Sequence, residues 1–404
     1  MSAAAATSAP AQQVRRRAFA LAVAGIAAFI NLYAPQAILP ALATTFHVPL
    51  LRTGLTVTAP LLAVAAVAPF VGAISDRLGR KRLITGAILL MLLPTLGIAA
   101  APSFAVLLAL RFAQGLAVPF IITVTVAYIG DECPGPEAIR AAGSYSIGSI
   151  LGGFAGRFVA GIGADLGGWR LAFVAIAVLT AASWLAILRY LPAERRFVPT
   201  TGGLRATLAA YGEHLRNPRL LATCGIGFGM LFTNVAVFTF VDFHLSAPPL
   251  NLSPAALAFI FIVYLVGAVT TSLFTRLAVR IGRRPTLLLV LATAAAGLAI
   301  TLLPGLAPAI LGLAVFVAGI MAVQALSMGF IGAIVPRARS AAVGLYVTLF
   351  YIGGSLGGIV PAWAWTAARW PGVVLLLFAI LAAMAALGAR FWGPRFPPPR
   401  FTQS

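Results

Sequence analysis

Long apolar stretches, separated by short polar turns, recur along the whole 404-residue chain. A helix needs about 20 apolar residues to cross the hydrocarbon core of a bilayer. These runs are continuous and do not alternate as the strands of a barrel would, so they favour helices. The sequence therefore predicts an all-α membrane protein with twelve transmembrane helices. Their approximate ranges are 18–40, 53–74, 83–101, 104–130, 139–163, 170–191, 219–241, 254–275, 286–304, 308–335, 341–365 and 371–392.

The two halves of the chain resemble each other at an offset of about 204 residues. A Gly-Arg-basic turn after the second span recurs after the eighth, and a glycine-rich run in the fifth span recurs in the eleventh. Duplicated halves are usual in carriers, which bind substrate near the middle of the membrane. We predict two pseudo-symmetric six-helix bundles, 1–191 and 219–404, the second with a short cytoplasmic tail. A cytoplasmic linker, 192–218, would join them, with a surface helix near 204–215.

Composition and charge agree with a membrane protein. Hydrophobic residues make up 61% of the chain and charged residues only 9%, against about 25% charged in soluble domains. The net charge is +20, but 23 of the 28 basic residues fall on one side of the predicted spans. By the positive-inside rule, both termini and the linker are cytoplasmic. The charge is thus an insertion signal, assisted by anionic lipid, and indicates no nucleic-acid partner. We expect a multi-pass membrane protein.

The basic loop after the second span has a physical interpretation as a latch. Gly72 would let a neighbouring helix approach closely, and Gly79 would permit a tight turn. Arg80 is expected to reach an acid at the cytoplasmic end of the fourth span. Such contacts would hold the cytoplasmic side shut in the outward-facing state, whereas the alternative is a purely topogenic loop. The candidate latch residues are Gly72, Asp76, Arg77, Gly79, Arg80, Lys81, Asp131 and Glu132.

Charged residues inside or beside spans are candidates for coupling or substrate binding. An arginine in a span is costly and usually functional, so Arg111, with Gln114 one turn on, and Arg157 stand out. A structural cap remains the alternative for Arg111, and snorkelling or structural pairing for Arg157. Asp242 ends the seventh span and is the best remaining proton carrier, unless it is a solvated helix end. No Asp or Glu lies well inside a predicted span, which favours a neutral or anionic substrate.

Other polar, aromatic and glycine residues fill out the candidate site. Polar and aromatic side chains in spans can line a cavity or simply join helices. The cavity candidates are Asn31, Tyr33, Gln36, Thr123, Tyr145, Asn234, Tyr264, Gln324, Tyr346 and Tyr351. The glycines expected to allow close helix packing are Gly148, Gly152, Gly153, Gly353, Gly357 and Gly358.

No catalytic, metal or cofactor site can be assembled from the remaining residues. The two cysteines and three histidines are scattered, without the spacing of a zinc site. A membrane enzyme would need a buried constellation of nucleophile, base or carboxylates. We therefore expect no enzyme activity, no cofactor and no metal.

Three motifs resemble those of the major facilitator superfamily. The stretch from Gly72 to Arg82 resembles its loop signature, which matches at Gly72, Asp76, Arg77, Gly79, Arg80 and Lys81. Arg111 to Gly115 resembles its R-x-x-Q-G motif, which the family associates with proton coupling. Gly148 to Gly153 resembles the antiporter motif G-P-x-x-G-G, although Ser149 stands where proline is expected. Nearly the whole chain is similar to inner-membrane carriers of the drug:proton antiporter type, and this resemblance implies the fold and an efflux role.

Together these features predict a secondary active transporter that works by alternating access. We expect a monomer in the lipid bilayer that couples protons to the efflux of a small neutral or anionic compound. An importer or uniporter of the same fold is the alternative. A channel or a membrane scaffold without transport activity is less compatible with the internal repeat.

Overall fold

A computed structural model of the protein describes residues 11–194, 211–335 and 339–393, and this part of the chain is helical, with no strand. Its contacts form two units. The first runs to residue 194 and includes residues 245–261, and the second comprises 211–244 and 262–393. The predicted bundle boundaries at 191 and 219 remain a prediction.

The first unit contains α1 to α7 and the short helix α9. In chain order they are α1 Ala11–Leu32, α2 Leu39–Phe46, α3 Leu50–Thr53, α4 Leu55–Leu78, α5 Arg80–Ala99, α6 Phe104–Glu132, α7 Pro136–Tyr190 and α9 Pro254–Ile260. A 3-10 segment, Ala34–Ile38, lies between α1 and α2. Helix α1 packs along α7, while α6 packs against both α4 and α5.

The second unit contains the remaining helices. They are α8 Pro218–Leu245, α10 Tyr264–Ile281, α11 Arg283–Ile300, α12 Leu306–Ile334, α13 Arg339–Gly357 and α14 Pro361–Phe391. The 3-10 segment Phe261–Val263 connects α9 to α10. Helix α12 packs against α10 and α11, and α11 also contacts α14.

The twelve predicted spans are found as helices, several of them bent. Among the described residues, nine helices are long and apolar enough to cross a membrane, or ten if α1 and the segment that follows it form one bent span. Helix α7 bends at Gly167 and Gly168, so it supplies the fifth and sixth spans. The shorter apolar helix α13 supplies the eleventh.

Three predicted spans are not the continuous helices that the sequence suggested. The first, 18–40, stops at Leu32 and continues in 3-10 geometry, because Pro35 has no N–H to donate. The eighth, 254–275, contains the 3-10 turn Phe261–Val263 and extends to Ile281. The eleventh, 341–365, ends at Gly357, and Pro361 opens the next helix, a position where its missing N–H costs nothing.

Glycines bring two helix pairs into backbone contact. A Cβ at Gly152 would lie 2.6 Å from Ile26 Cα, and one at Gly148 would lie 2.6 Å from the carbonyl carbon of Ala22, so α7 lies directly on α1. Helix α13 lies on α8 in the same manner. There, a Cβ at Gly353 would lie 2.7 Å from the carbonyl carbon of Phe228, and one at Gly357 would lie 3.0 Å from that of Phe232.

The other two packing glycines behave differently. A Cβ at Gly153 would meet only the Arg157 guanidinium among the described residues, at 3.5 Å, so it faces a side chain and not a neighbouring helix. Gly358 follows the end of α13 and donates its N–H to Ser355 O. Gly153 thus makes no close contact with a second helix among the described residues, and the packing role of Gly358 stays a prediction.

Candidate functional site

Arg111 lies at the centre of the first unit, with its side chain fully buried. Its guanidinium donates to four neutral oxygen atoms: Thr56 O at 2.9 Å, Asn31 O at 2.8 Å, Leu32 O at 2.6 Å and Gln114 Oε1 at 2.6 Å. Two of these carbonyls belong to the last residues of α1, where no further helical N–H is available to them. Arg111 therefore caps α1 at the break in the first span, which is the structural alternative left open by the sequence.

A set of buried side chains extends from Arg111 across four helices. Asn31 Nδ2 donates to Thr180 Oγ1 at 2.8 Å, and Asn31 Oδ1 accepts from Thr95 Oγ1 at 2.9 Å. Gln114 Nε2 donates to Thr95 Oγ1 at 2.7 Å. The candidates Asn31 and Gln114 thus join helices α1, α5, α6 and α7. Sequence reasoning missed Thr95 and Thr180, since a threonine in a span gives no motif.

The break in the first span brings Tyr33 and Gln36 to Arg157. Gln36 Oε1 accepts from Arg157 Nε at 2.9 Å and from Nη2 at 2.5 Å, while Gly153 O accepts from Nη1 at 2.7 Å. The guanidinium carbon lies 4.7 Å from the centre of the Tyr33 ring and 4.5 Å from that of Phe261. We name these five residues the Arg157 cradle. The structure thereby joins three of the candidates predicted separately from the sequence.

Residues 254–261 cover this cradle. A Cβ at Gly161 would lie 2.5 Å from both Pro254 O and Ala258 Cβ, so α9 rests directly on the backbone of α7. The Phe158 and Phe259 rings meet edge to face, with centroids 5.1 Å apart. This close packing leaves Arg157 only 3% exposed.

Asp165 fixes the start of the covering segment. Its Oδ2 accepts from Ser253 Oγ at 3.0 Å and from the Ala255 N–H at 3.2 Å. A carboxylate at a helix N-terminus accepts hydrogen bonds from main-chain N–H groups, and its negative charge interacts favourably with the positive end of the helix dipole. Asp165 lies between the predicted spans 139–163 and 170–191, and the sequence alone does not reveal this contact.

Of the proposed latch residues, some make the predicted contacts in the structure and others do not. Arg80 Nε lies 3.0 Å from Asp131 Oδ2, and Arg80 also contacts Ser75. Gly72 is exposed, and a Cβ there would meet no atom of the described residues within 4 Å, so the close helix approach at Gly72 stays a prediction. The side chains of Asp76 and Arg77 are outside those that the structure describes.

Lys81 and Gly79 meet a carboxylate of the linker. The Lys81 N–H donates to Glu194 Oε2 at 3.2 Å. Gly79 has a backbone φ of 86°, a value that residues other than glycine rarely adopt. Glu132 is buried, and its main-chain oxygen accepts from Arg17 Nη1 at 2.9 Å.

An ion pair that the sequence did not reveal lies near this end of the first unit. Arg17 Nη1 is 2.8 Å from Glu137 Oε1, which ties the start of α1 to the start of α7. Burial raises the pKa of the adjacent Cys133 thiol, although its hydrogen bond from Arg17 acts in the opposite direction. That thiol is therefore protonated at neutral pH and reacts poorly with maleimides.

The candidates of the second unit do not form one cluster in the described structure. Asn234 Oδ1 accepts from Tyr264 Oη at 2.9 Å. Asp242 is buried in the last turn of α8, which does not fit a solvated helix end. Tyr346 and Tyr351 are buried, and both of their rings pack against the ring of Phe350.

Three other cavity candidates have no shared position. Thr123 and Gln324 are exposed, whereas Tyr145 is half-buried in the first unit. Exposure in a membrane-spanning helix fits contact with lipid or with an open cavity equally well. These three residues remain predictions.

The sequence and the fold are similar to those of known transport proteins. Residues 21–321 match the family described as the Major Facilitator Superfamily. The chain is 30% identical over 378 residues to the inner membrane transport protein YnfM of Escherichia coli, and the alignment covers 94% of this chain and 91% of that protein. It is also 30% identical over 373 residues to the uncharacterized MFS-type transporter YybF of Bacillus subtilis, and this alignment covers 92% of each chain.

A solved structure has the same fold at low sequence identity. The D-xylose-proton symporter superposes with a TM-score of 0.75 at 15% identity, and the match covers 94% of this chain and 97% of that one. The family match, the two relatives and the duplicated helical units agree with one another. The chain belongs to the major facilitator superfamily and is a multi-pass membrane transporter.

Proposed function

We propose that this transporter moves a small neutral or anionic solute by alternating access and couples its efflux to protons. Membership of the superfamily supports transport as such. The proposed substrate class and alternating access rest on the Arg157 cradle and on residues 254–261, which cover it.

The charge of Arg157 supports the proposed substrate class. A guanidinium is always protonated in proteins, so Arg157 presents a positive charge in every state of the transporter. Its contacts with Gln36 and with the Tyr33 and Phe261 rings form an amide and aromatic surface around that charge. Such a surface suits a planar neutral solute or an organic anion, whereas a cation would be repelled.

The cover over the cradle supports alternating access. Phe261 contributes to the cradle from the same segment that packs on Gly161, so withdrawal of residues 254–261 would expose Arg157. The contacts that hold the segment include a carboxylate at a helix N-terminus, a pair of rings, a glycine contact and the stacking of Phe261 on Arg157. These contacts can break and re-form without unfolding a helix.

Proton coupling is proposed for Asp242, the buried acid of α8. Acids inside membrane-spanning helices are common members of proton relays in transporters. Import remains the second candidate, because the D-xylose-proton symporter has the same fold. We further propose that the protein is a monomer in the inner membrane with both termini in the cytoplasm.

Transport in proteoliposomes tests the proposed substrate class. With an imposed proton gradient, we expect flux of chloramphenicol (neutral) or carboxyfluorescein (anionic) to exceed that of ethidium (cationic). Arg157→Gln should lower the flux about 10-fold or more, because hydrogen bonds to a charged group contribute about 1.5–3 kcal/mol. Arg140→Gln removes an exposed arginine of the same helix and should leave the flux unchanged. Transport of ethidium alone, unaffected by Arg157→Gln, would contradict the proposal.

A further inference from the structure

A basic pocket lies at one end of the second unit, away from the Arg157 cradle. It has a volume of about 390 Å³ and forms where α8 begins, α10 turns into α11, and α12 and α14 end. Three arginines line it: Arg219, Arg283 and Arg284. A pocket of this size can hold a small ligand or a lipid headgroup.

The arginines surround an apolar and aromatic floor. The Phe330 and Trp392 rings stack with centroids 4.5 Å apart, and both residues are buried. Trp392 Nε1 donates to Thr223 Oγ1 at 3.2 Å, which fixes the indole. Ile281 and Ile334 complete the wall, and Ile281 is 49% exposed. The pocket therefore combines cationic groups with an apolar side that opens outwards.

The turn that corresponds to this pocket in the first unit is in contact with a carboxylate. In the first unit, the corresponding turn at Gly79 and Arg80 leads into Lys81, whose N–H donates to the carboxylate of Glu194. The Lys81 ammonium donates to Leu188 O at 3.2 Å. When the two turns are aligned on Gly79 and Gly282, an offset of 203 residues, Arg284 corresponds to Lys81. The first unit thus has an anion from its own chain at this helix start.

No carboxylate lines this pocket among the described residues. The described part of the second unit contains two acids, Glu213 before α8 and Asp242 near the opposite end of α8, and neither belongs to the pocket lining. Arg283 and Arg284 are exposed at the start of α11, where the helix dipole adds further positive potential. Two exposed guanidiniums at a helix N-terminus match the geometry and charge of a phosphate.

We infer that this pocket binds the phosphate headgroup of an anionic phospholipid, with Arg283 and Arg284 on the phosphate and the Phe330–Trp392 floor against the glycerol region. A lipid is favoured over a soluble phosphate because the pocket lies at the ends of membrane-spanning helices and has an exposed apolar rim. The bound phosphate would take the place that Glu194 occupies in the first unit.

Lipid binding to the purified full-length protein tests the inference. By native mass spectrometry we expect phosphatidylglycerol to bind more tightly than phosphatidylcholine. The double variant R283Q/R284Q should weaken phosphatidylglycerol binding about 10- to 30-fold, since each basic residue near an anionic headgroup contributes about 1 kcal/mol. The matched control R276Q/R280Q removes two exposed arginines of α10 that do not line the pocket, and should bind as the wild type does.

A second measurement needs no variant. Phosphatidylglycerol should protect Arg283 and Arg284 from modification by phenylglyoxal, while Arg276 and Arg280 remain reactive. Equal loss of binding in both double variants, or equal protection by phosphatidylcholine, would overturn the inference. Full competition by the same concentration of soluble glycerol phosphate would overturn the assignment to a lipid.

Discussion

Arg111→Met is expected to destabilise the transporter more than any other single change to a charged residue in the first unit. The substitution leaves the carbonyls of Asn31, Leu32 and Thr56 buried without their donor. Each orphaned buried acceptor costs about 1–3 kcal/mol, so we expect a total of about 3 kcal/mol. The apparent unfolding temperature in detergent should fall by about 6–12 °C. Thermal unfolding followed by size-exclusion chromatography measures this shift.

The control is Arg52→Met, which removes an exposed arginine of α3. It should change the unfolding temperature by no more than about 2 °C. Arg111→Lys distinguishes the capping role from charge alone, because a single ammonium cannot reach all the oxygens that the guanidinium reaches. If Arg111→Lys were as stable as the wild type, Arg111 would not be the cap of α1 that the structure describes.

Gly152→Val should separate α7 from α1. Its first side-chain atom would lie 2.6 Å from Ile26 Cα, well inside van der Waals contact with a backbone that cannot move alone. Overpacking of this kind costs about 1–3 kcal/mol. We expect a lower unfolding temperature, by about 2–10 °C, together with reduced yield of folded protein.

The same helix supplies the control. Gly143 is exposed, and a Cβ there would meet no described atom within 4 Å, so Gly143→Val should leave the unfolding temperature within about 2 °C of the wild type. Equal destabilisation by the two valines would indicate a general cost of valine in this helix. The close contact of α7 with α1 would then have no special energetic role.

The fold could be predicted from the sequence because each of the features that indicate it is spread over many residues. Long apolar runs, a one-sided excess of arginine and a repeated turn each report on many residues, so local errors do not change the result. The errors occurred where single residues decide. The break after Leu32 depends on Pro35 and on a cap from Arg111, which is distant in the sequence.

The candidate site was predicted only in part, for a related reason. Arg157, Gln36 and Tyr33 were all singled out, but their contact depends on the 3-10 turn at residues 34–38, which the sequence did not predict. Arg111 appeared as a coupling candidate, yet three of its four partners are main-chain oxygens, which every sequence contains. The covering role of residues 254–261 could not be predicted, because it depends on a glycine contact between helices distant in the sequence.

The proposed alternating access requires that α9 separates from α7, and a distance between spin labels on these helices tests this most directly. Labels would be attached to cysteines at Leu166, which is 77% exposed, and at Ala256, which is partly exposed, in a protein without Cys133 and Cys224. We predict a short and a long distance in the wild type. Gly161→Leu, which crowds Pro254 and Ala258, should shift the population towards the long distance. A single short distance, unchanged by Gly161→Leu and by pH, would contradict alternating access through this segment.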